Sequence, residues 1–239
     1  MTVSVVIPAH NEEGLLPRCL ASIEQSAARA GLPVEVVVVL NRCSDRTEEI
    51  AKTHGCVLVH EEAKNLSLIR NAGARVATGE VLVTIDADSA MHPRTLEAIH
   101  KRLSSGRYIG GATLVVPDRL SLGICCSLFV VLLHLWRNGI GYGLFWCRRR
   151  DFEAIGGFDP EFVTVEDVDF LRRLKQRGRA RGLRFGTLWN APMRTSSRKF
   201  DQFGDWFFVT NPGFLKRALE GHDRKAGDRY WYDARSRQD

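Results

Sequence analysis

Val81-Leu82-Val83-Thr84-Ile85-Asp86-Ala87-Asp88 is the stretch on which the fold turns. Its apolar run predicts a buried strand, and two carboxylates one residue apart end it. Acids at the end of a hydrophobic strand are costly unless a cation compensates them. In open α/β sheets the strand end is also where ligands bind. Two hard oxygen donors at this spacing suit Mg2+ or Mn2+ held together with substrate phosphates. A solvated turn is the plain alternative for an isolated Asp-x-Asp, so the surrounding pattern has to decide.

Upstream, Val3, Val5, Val6 and Ile7 predict a first strand closed by Pro8, followed by the polar cluster His10-Asn11-Glu12-Glu13. Leu15, Leu16, Cys19, Leu20 and Ile23 then recur at helical spacing. Residues 34–40 are nearly all apolar and β-branched, and a polar loop at 41–47 interrupts them. Ser44 and Asp45 are candidate caps for a helix through Glu48, Ile50 and Ala51. A shorter strand at 56–59 and a helix at 66–76 lead into the acidic strand. Apolar strands alternating with helices predict a parallel sheet covered on both faces, with the polar loops gathered along one edge as a single site.

With these elements in place, the chain resembles the inverting family 2 glycosyltransferases of the GT-A fold. The resemblance rests on Val3-Ser4-Val5-Val6-Ile7-Pro8-Ala9-His10-Asn11-Glu12-Glu13, the loop 41–47, Arg70-Asn71-Ala72-Gly73, Asp86-Ala87-Asp88, Gly156-Gly157-Phe158-Asp159 and Glu166-Asp167. These occur in the family's order across residues 3–177. The resemblance implies an α/β fold: one GT-A-type domain at 1–220, with a mainly parallel Rossmann-like sheet flanked by helices. Residues 1–90 would bind the nucleotide sugar and 91–220 would supply the acceptor site and catalytic base, followed by a charged tail at 221–239. It also implies metal-assisted transfer of a sugar from a nucleotide-diphosphate sugar to an acceptor hydroxyl.

Carried over residue by residue, Pro8, Ala9 and Glu12 meet the nucleoside. Asn41 stands where the family places an Asp against the base; Asn both donates and accepts, which keeps a UDP-sugar favoured but admits a GDP-sugar. Asp45 is the second acid of that loop, with a helix cap as its alternative. Arg70 has the charge and fork for a diphosphate or base edge. Asp88 is the expected ligand of Mn2+ or Mg2+, with Asp86, beside Ala87, nearer the ribose or a metal-bound water. Gly157 and Phe158 are expected at the acceptor. Asp167 is the expected general base, with Glu166 orienting it; helix-capping acids are the alternative. The segment 195–199, with Arg198, is expected to close over the diphosphate. The Gln-x-x-Arg-Trp element of processive synthases is absent, which implies one sugar per encounter.

Composition sets the remaining bounds. The chain has 239 residues, 44% of them hydrophobic, enough for one sizeable core. Six cysteines without a Cys-x-x-Cys pair, and no signal peptide, predict free thiols and a cytoplasmic protein, at the membrane surface if the acceptor is lipid-linked. The net charge of +6 concentrates in the second half, including seven basic residues from Arg172 to Arg184. No nucleic-acid motif accompanies it, so anionic headgroups or a phosphorylated acceptor fit as well. Residues 120–136 lack Asp, Glu, Lys and Arg and are apolar on every helical face. A helix buried in the domain is the first reading; a membrane-resting or homodimer-forming helix is the second. His222 is a further candidate metal ligand.

A sugar-phosphate nucleotidyltransferase would share the sheet and paired acids but should carry a Gly-rich basic loop after the first strand, where 8–14 has none. A non-catalytic nucleotide-sugar-binding protein is the third reading.

Overall fold

A computed structural model describes residues 1–136, 143–162, 165–211 and 213. The elements run β1 (Val3–Ala9), α1 (Leu16–Ala30), β2 (Val34–Leu40), α2 (Thr47–Thr53), β3 (Val57–His60), α3 (Leu66–Val76), β4 (Val81–Thr84), β5 (Ser89–Ala90), α4 (Thr95–Ser104), β6 (Tyr108–Pro117), α5 (Leu122–Trp136), β7 (Phe145–Arg148), α6 (Arg149–Ala154), α7 (Glu166–Ala180), β8 (Arg184–Thr195), α8 (Arg198–Phe203) and α9 (Phe207–Thr210). Among the described residues the strands form one sheet in the order β3-β2-β1-β4-β7-β6-β8-β5.

The first half is parallel, with Val3–Ala9 paired along Val34–Leu40 and Val3–Val6 along Val81–Thr84. Period-2 alternation divides β1 between two core layers. Val3, Val5 and Ile7 pack with Leu16, Leu20, Ile23, Leu96, Ile99 and Leu103 on one face. Val6 packs with Ile69, Phe158, Phe170, Leu171 and Leu174 on the other. Gly73 lets α3 lie directly on the sheet, because a Cβ there would collide with Val6 and Val39.

Two features depart from the sequence reading. The sheet is mixed, because β7 runs antiparallel to both β4 and β6. Pro8 does not close the first strand but pairs with Val39 inside it; β1 therefore carries Ala9 to the sheet edge as well.

Helix α5 begins at Leu122, two residues into the apolar stretch, and is not wholly buried. Gly123, Ile124 and Ser127 face inward, whereas Leu122 and Phe129 are 73% and 66% exposed. Among the described residues no helix is long and apolar enough to cross a membrane. The tail at 221–239, with His222, lies outside the described residues.

Candidate functional site

The loops after β1 and β2 are stitched into one ledge. The Glu12 N–H donates to Thr47 Oγ1 (2.8 Å), the Glu13 N–H to Asp45 Oδ2 (2.9 Å) and the Ser44 N–H to Asn11 Oδ1 (2.8 Å). Asp45 also accepts the Thr47 N–H at 3.0 Å. Burial opposes ionisation of Asp45, but these bonds outweigh it and hold the carboxyl below its ordinary range. The side chain thus ties the loop after β1 to the start of α2. Asn11 (φ 49°) and Arg42 (φ 52°) adopt the left-handed conformation that bends the two loops toward each other.

Asn41 departs from its expected role. Its side chain is buried, with Nδ2 donating to the carbonyls of Glu61 and Ala63 and Oδ1 accepting from Arg42. It anchors the segment after β3 and offers no edge to a base. Ala9 and Ala87 are buried too, the Ala9 carbonyl already accepting the Asn41 N–H at 2.8 Å. Pro8, half-buried in β1, sits one residue from the ledge.

Both acids of Asp86-Ala87-Asp88 meet an arginine brought from elsewhere. Arg70 on α3 donates to Asp86 Oδ1 (3.0 Å) through Nη2 and to Glu166 Oε1 (2.7 Å) through Nη1. The Arg70 and Glu166 side chains are 6% and 7% exposed, whereas Asp86 is 45% exposed. Phe158 and Phe145 lie against the guanidinium at 5.3 and 6.0 Å from their ring centroids. Arg198 at the start of α8 grips Glu12 through both Nη atoms and reaches Asp88 Oδ2 at 3.3 Å. Asp88 Oδ1 accepts the Ser89 hydroxyl.

Glu166 and Asp167 form the first turn of α7, whose Phe170, Leu171 and Leu174 seat it in the core. Burial pushes both carboxyls above the ordinary range, Arg70 opposes this, and the charge of Asp86 adds to the upward shift. Asp167 is the more exposed of the two, and one oxygen accepts the Val168 N–H.

Phe158 is also a correction. Its ring is fully buried, stacked 4.3 Å from Phe170, and supports Arg70 rather than facing an acceptor. Gly157 (φ 68°) holds the turn, and a Cβ there would strike Asn71 Oδ1. Asn71 has no role that its sequence neighbours reveal. Its Oδ1 accepts the Phe158 N–H (2.9 Å) and its Nδ2 donates to the Phe158 carbonyl (2.7 Å). Asn65 and Ser67 bond the carbonyls of Pro160 and Asp159. Helix α3 therefore pins the loop that leads to α7.

The donor set around Asp88 and Asp86 is carboxylate oxygen, and among the described residues no third His, Cys, Asp or Glu joins them as a metal cluster. Such a pair fits Mn2+ or Mg2+, which take one or two carboxylates and complete their shell from phosphate and water. All six cysteines are free thiols.

Residues 4–121 match the model of Glycosyl transferase family 2. The chain is 27% identical over 173 residues to the undecaprenyl-phosphate 4-deoxy-4-formamido-L-arabinose transferase of Pseudomonas paraeruginosa, covering 62% of this chain and 50% of that protein. It spans about half the length of the curated relatives it matches. Among solved structures it is similar to the mannosyltransferase PcManGT of Pyrobaculum calidifontis in complex with GDP-Man and Mn2+, with a TM-score of 0.65 and 20% identity over 94% of this chain and 66% of that one. It is also similar to S. aureus TarS 1-349 in complex with UDP-GlcNAc, with a TM-score of 0.63 and 16% identity over 100% and 72% of the two chains. The mixed sheet of this chain is the GT-A architecture, and its residues 4–121 form a family 2 glycosyltransferase domain.

Proposed function

We propose that this glycosyltransferase moves one sugar per encounter from a nucleotide-diphosphate sugar to an acceptor hydroxyl, with inversion and with the help of Mn2+ or Mg2+. The observation that carries the reading is the Arg70 bridge, which joins a strand-end acid on the donor side, Asp86, to Glu166 at the start of α7, the residue before Asp167. Residues 1–90 bind the nucleotide sugar and 91–220 carry the acceptor site and base. A UDP-sugar is the favoured donor and a GDP-sugar the second; the TarS and PcManGT complexes named above hold one of each.

In the transfer, Asp167 accepts the proton of the acceptor hydroxyl. The acceptor oxygen forms its bond to the anomeric carbon as the bond to the diphosphate oxygen breaks, and the bonding pair leaves on the diphosphate. Attack from the face opposite the leaving group inverts the configuration in one displacement. Glu166 holds Arg70 rather than the proton, since its carboxylate is buried and taken by the guanidinium. Arg198, set between Glu12 and Asp88, stands on the donor side and turns to the diphosphate. A divalent cation held by Asp88 and Asp86 supplies positive charge to the leaving group when bound.

The acceptor proposed is lipid-linked. Leu120, Leu122 and Phe129 around α5 and Trp206 and Val209 at α9 are exposed apolar side chains, and α5 and α9 pack together. That surface adjoins the helix carrying Arg198, so an apolar tail on α5 and α9 would leave its polar head near the site. The Pseudomonas relative is named for an undecaprenyl-phosphate acceptor.

The test is a panel of UDP- and GDP-sugars with polyprenyl-phosphate and Mn2+, read by NMR of the product anomer. Transfer with inversion is the expected result; retention of configuration, or turnover unaffected by chelation, contradicts it.

A further inference from the structure

Glu12 and Asp88 carry side chains only 1% and 11% exposed, and the cation that compensates both comes from Arg198, 186 and 110 residues away in sequence. Buried carboxylates need such a partner. Helix α8, which brings it, has six residues, none of them buried, and no side-chain cap. It therefore depends on outside contacts for its position. On the inner side, the Ser196 N–H donates to the Asp88 carbonyl (3.1 Å), and the Thr195 hydroxyl donates to Ser89 Oγ (3.0 Å). On the outer side stands Arg119. Its Nη1 and Nη2 grip Asp205 at 3.0 and 2.7 Å, its Nη2 also reaches Asp201 at 2.6 Å, and its N–H donates to Ser197 Oγ at 3.0 Å. Ser121 and Ser127 bind Asp205 from α5 and its approach. One exposed ion pair is worth little, but a guanidinium forked on one carboxylate and reaching a second fixes geometry.

We infer that Arg119 is a positioning residue: by holding Asp201 and Asp205 it keeps Arg198 on Glu12 and Asp88 as an internal cation that competes with a divalent cation for Asp88. This rests on the metal-assisted reading proposed above. The Asp88 contact is the longest of the three Arg198 makes with these acids, at 3.3 Å. A diphosphate gives the guanidinium a second anion to bind, so Arg198 releases Asp88 while keeping Glu12. Metal alone is then held weakly, and a nucleoside diphosphate opens the site to it.

The experiment is a Mn2+ titration of the full chain followed by electron paramagnetic resonance, first with the metal alone and then with UDP or GDP. Arg198→Gln and Arg119→Gln should bind Mn2+ alone about tenfold more tightly than wild type, the effect of losing one nearby, partly screened unit charge. Arg119→Lys should return toward wild type. Arg119 is a surface residue, so its variants keep the test open should Arg198→Gln fail to fold. If Arg119→Gln only lowers the melting temperature, with Mn2+ affinity unchanged in both Gln variants while UDP or GDP still enhances Mn2+ binding, the inference is overturned and the metal-assisted function stands. If no form binds Mn2+ with or without nucleotide, both are overturned.

Discussion

Arg70 and Glu166 meet at 2.7 Å with both side chains almost wholly withdrawn from solvent. The same guanidinium holds Asp86 and lies against Phe158 and Phe145. One residue of α3 thus braces the end of β4 against the start of α7, the two segments that carry the candidate donor acid and the candidate base.

Breaking that brace leaves a buried carboxylate without its cation. Arg70→Gln should lower unfolding stability by about 3–5 kcal/mol. The double variant Arg70→Gln/Glu166→Gln should recover much of it without recovering activity. Denaturant unfolding of the four proteins in the cycle checks this; a loss in the double variant equal to the sum of the two single losses would mean that the pair contributes no coupling.

The pH dependence follows from the upward shifts of Glu166 and Asp167, caused by burial and opposed by Arg70. A base works only when deprotonated, so kcat/KM should rise with pH along an acid limb above the ordinary Asp value of about 4. That limb belongs to the coupled pair. Arg70→Gln removes the charge that favours the ionised forms and should move the limb higher, whereas Arg70→Lys should move it less. Stability has the opposite sign. Carboxyls raised in the folded state bind protons that the unfolded chain has lost, so their contribution to stability falls as pH climbs above the ordinary carboxylate range. A limb at or below pH 4, or one lowered by Arg70→Gln, contradicts the assignment.

Asn71 supplies both hydrogen bonds that hold the backbone of Phe158. Asn71→Ala should cost about 1–3 kcal/mol, and Phe158→Ala about 3–5 kcal/mol as a core cavity beneath Arg70. Both should lower kcat more than they weaken donor binding, because the loop they hold leads to the base. A Phe158→Ala variant with normal stability and an acceptor KM alone raised would restore Phe158 to the acceptor site.

How far the sequence was legible depended on whether the signal was local. The Asp86-Ala87-Asp88 strand end, the polar loops at 8–13 and 41–47 and the amphipathic start of α7 each follow from neighbours in the chain. A Gly-Gly-Phe-Asp run reads as an exposed turn, and only the packing of Phe152 and Phe170 shows where the Phe158 ring goes. The occupation of Asn41 by carbonyls 20 and 22 residues later has no local sign. Pro8 reads locally as the close of the first strand, whereas in the parallel ladder it takes a place opposite Val39. The antiparallel β7 is a four-residue strand between β4 and β6, too short to declare its direction.

Asp88→Ala should remove the gain in UDP or GDP affinity that Mn2+ or Mg2+ provides, which calorimetry with and without the metal reads directly. Nucleotide binding that needs no metal, and is unchanged in the variant, would take the cation away from Asp88.

Asp167 is proposed to take the acceptor proton, and kcat for Asp167→Asn set beside its Kd for UDP or GDP with Mn2+ tests this. Kd should stay close to wild type and kcat should fall by about two to four orders of magnitude, since Asn keeps the shape and the Val168 contact but cannot accept the proton. A kcat near wild type would contradict it, because Asn at the start of α7 would then do all that Asp167 does, and the residue would be a helix-terminal acid and no base.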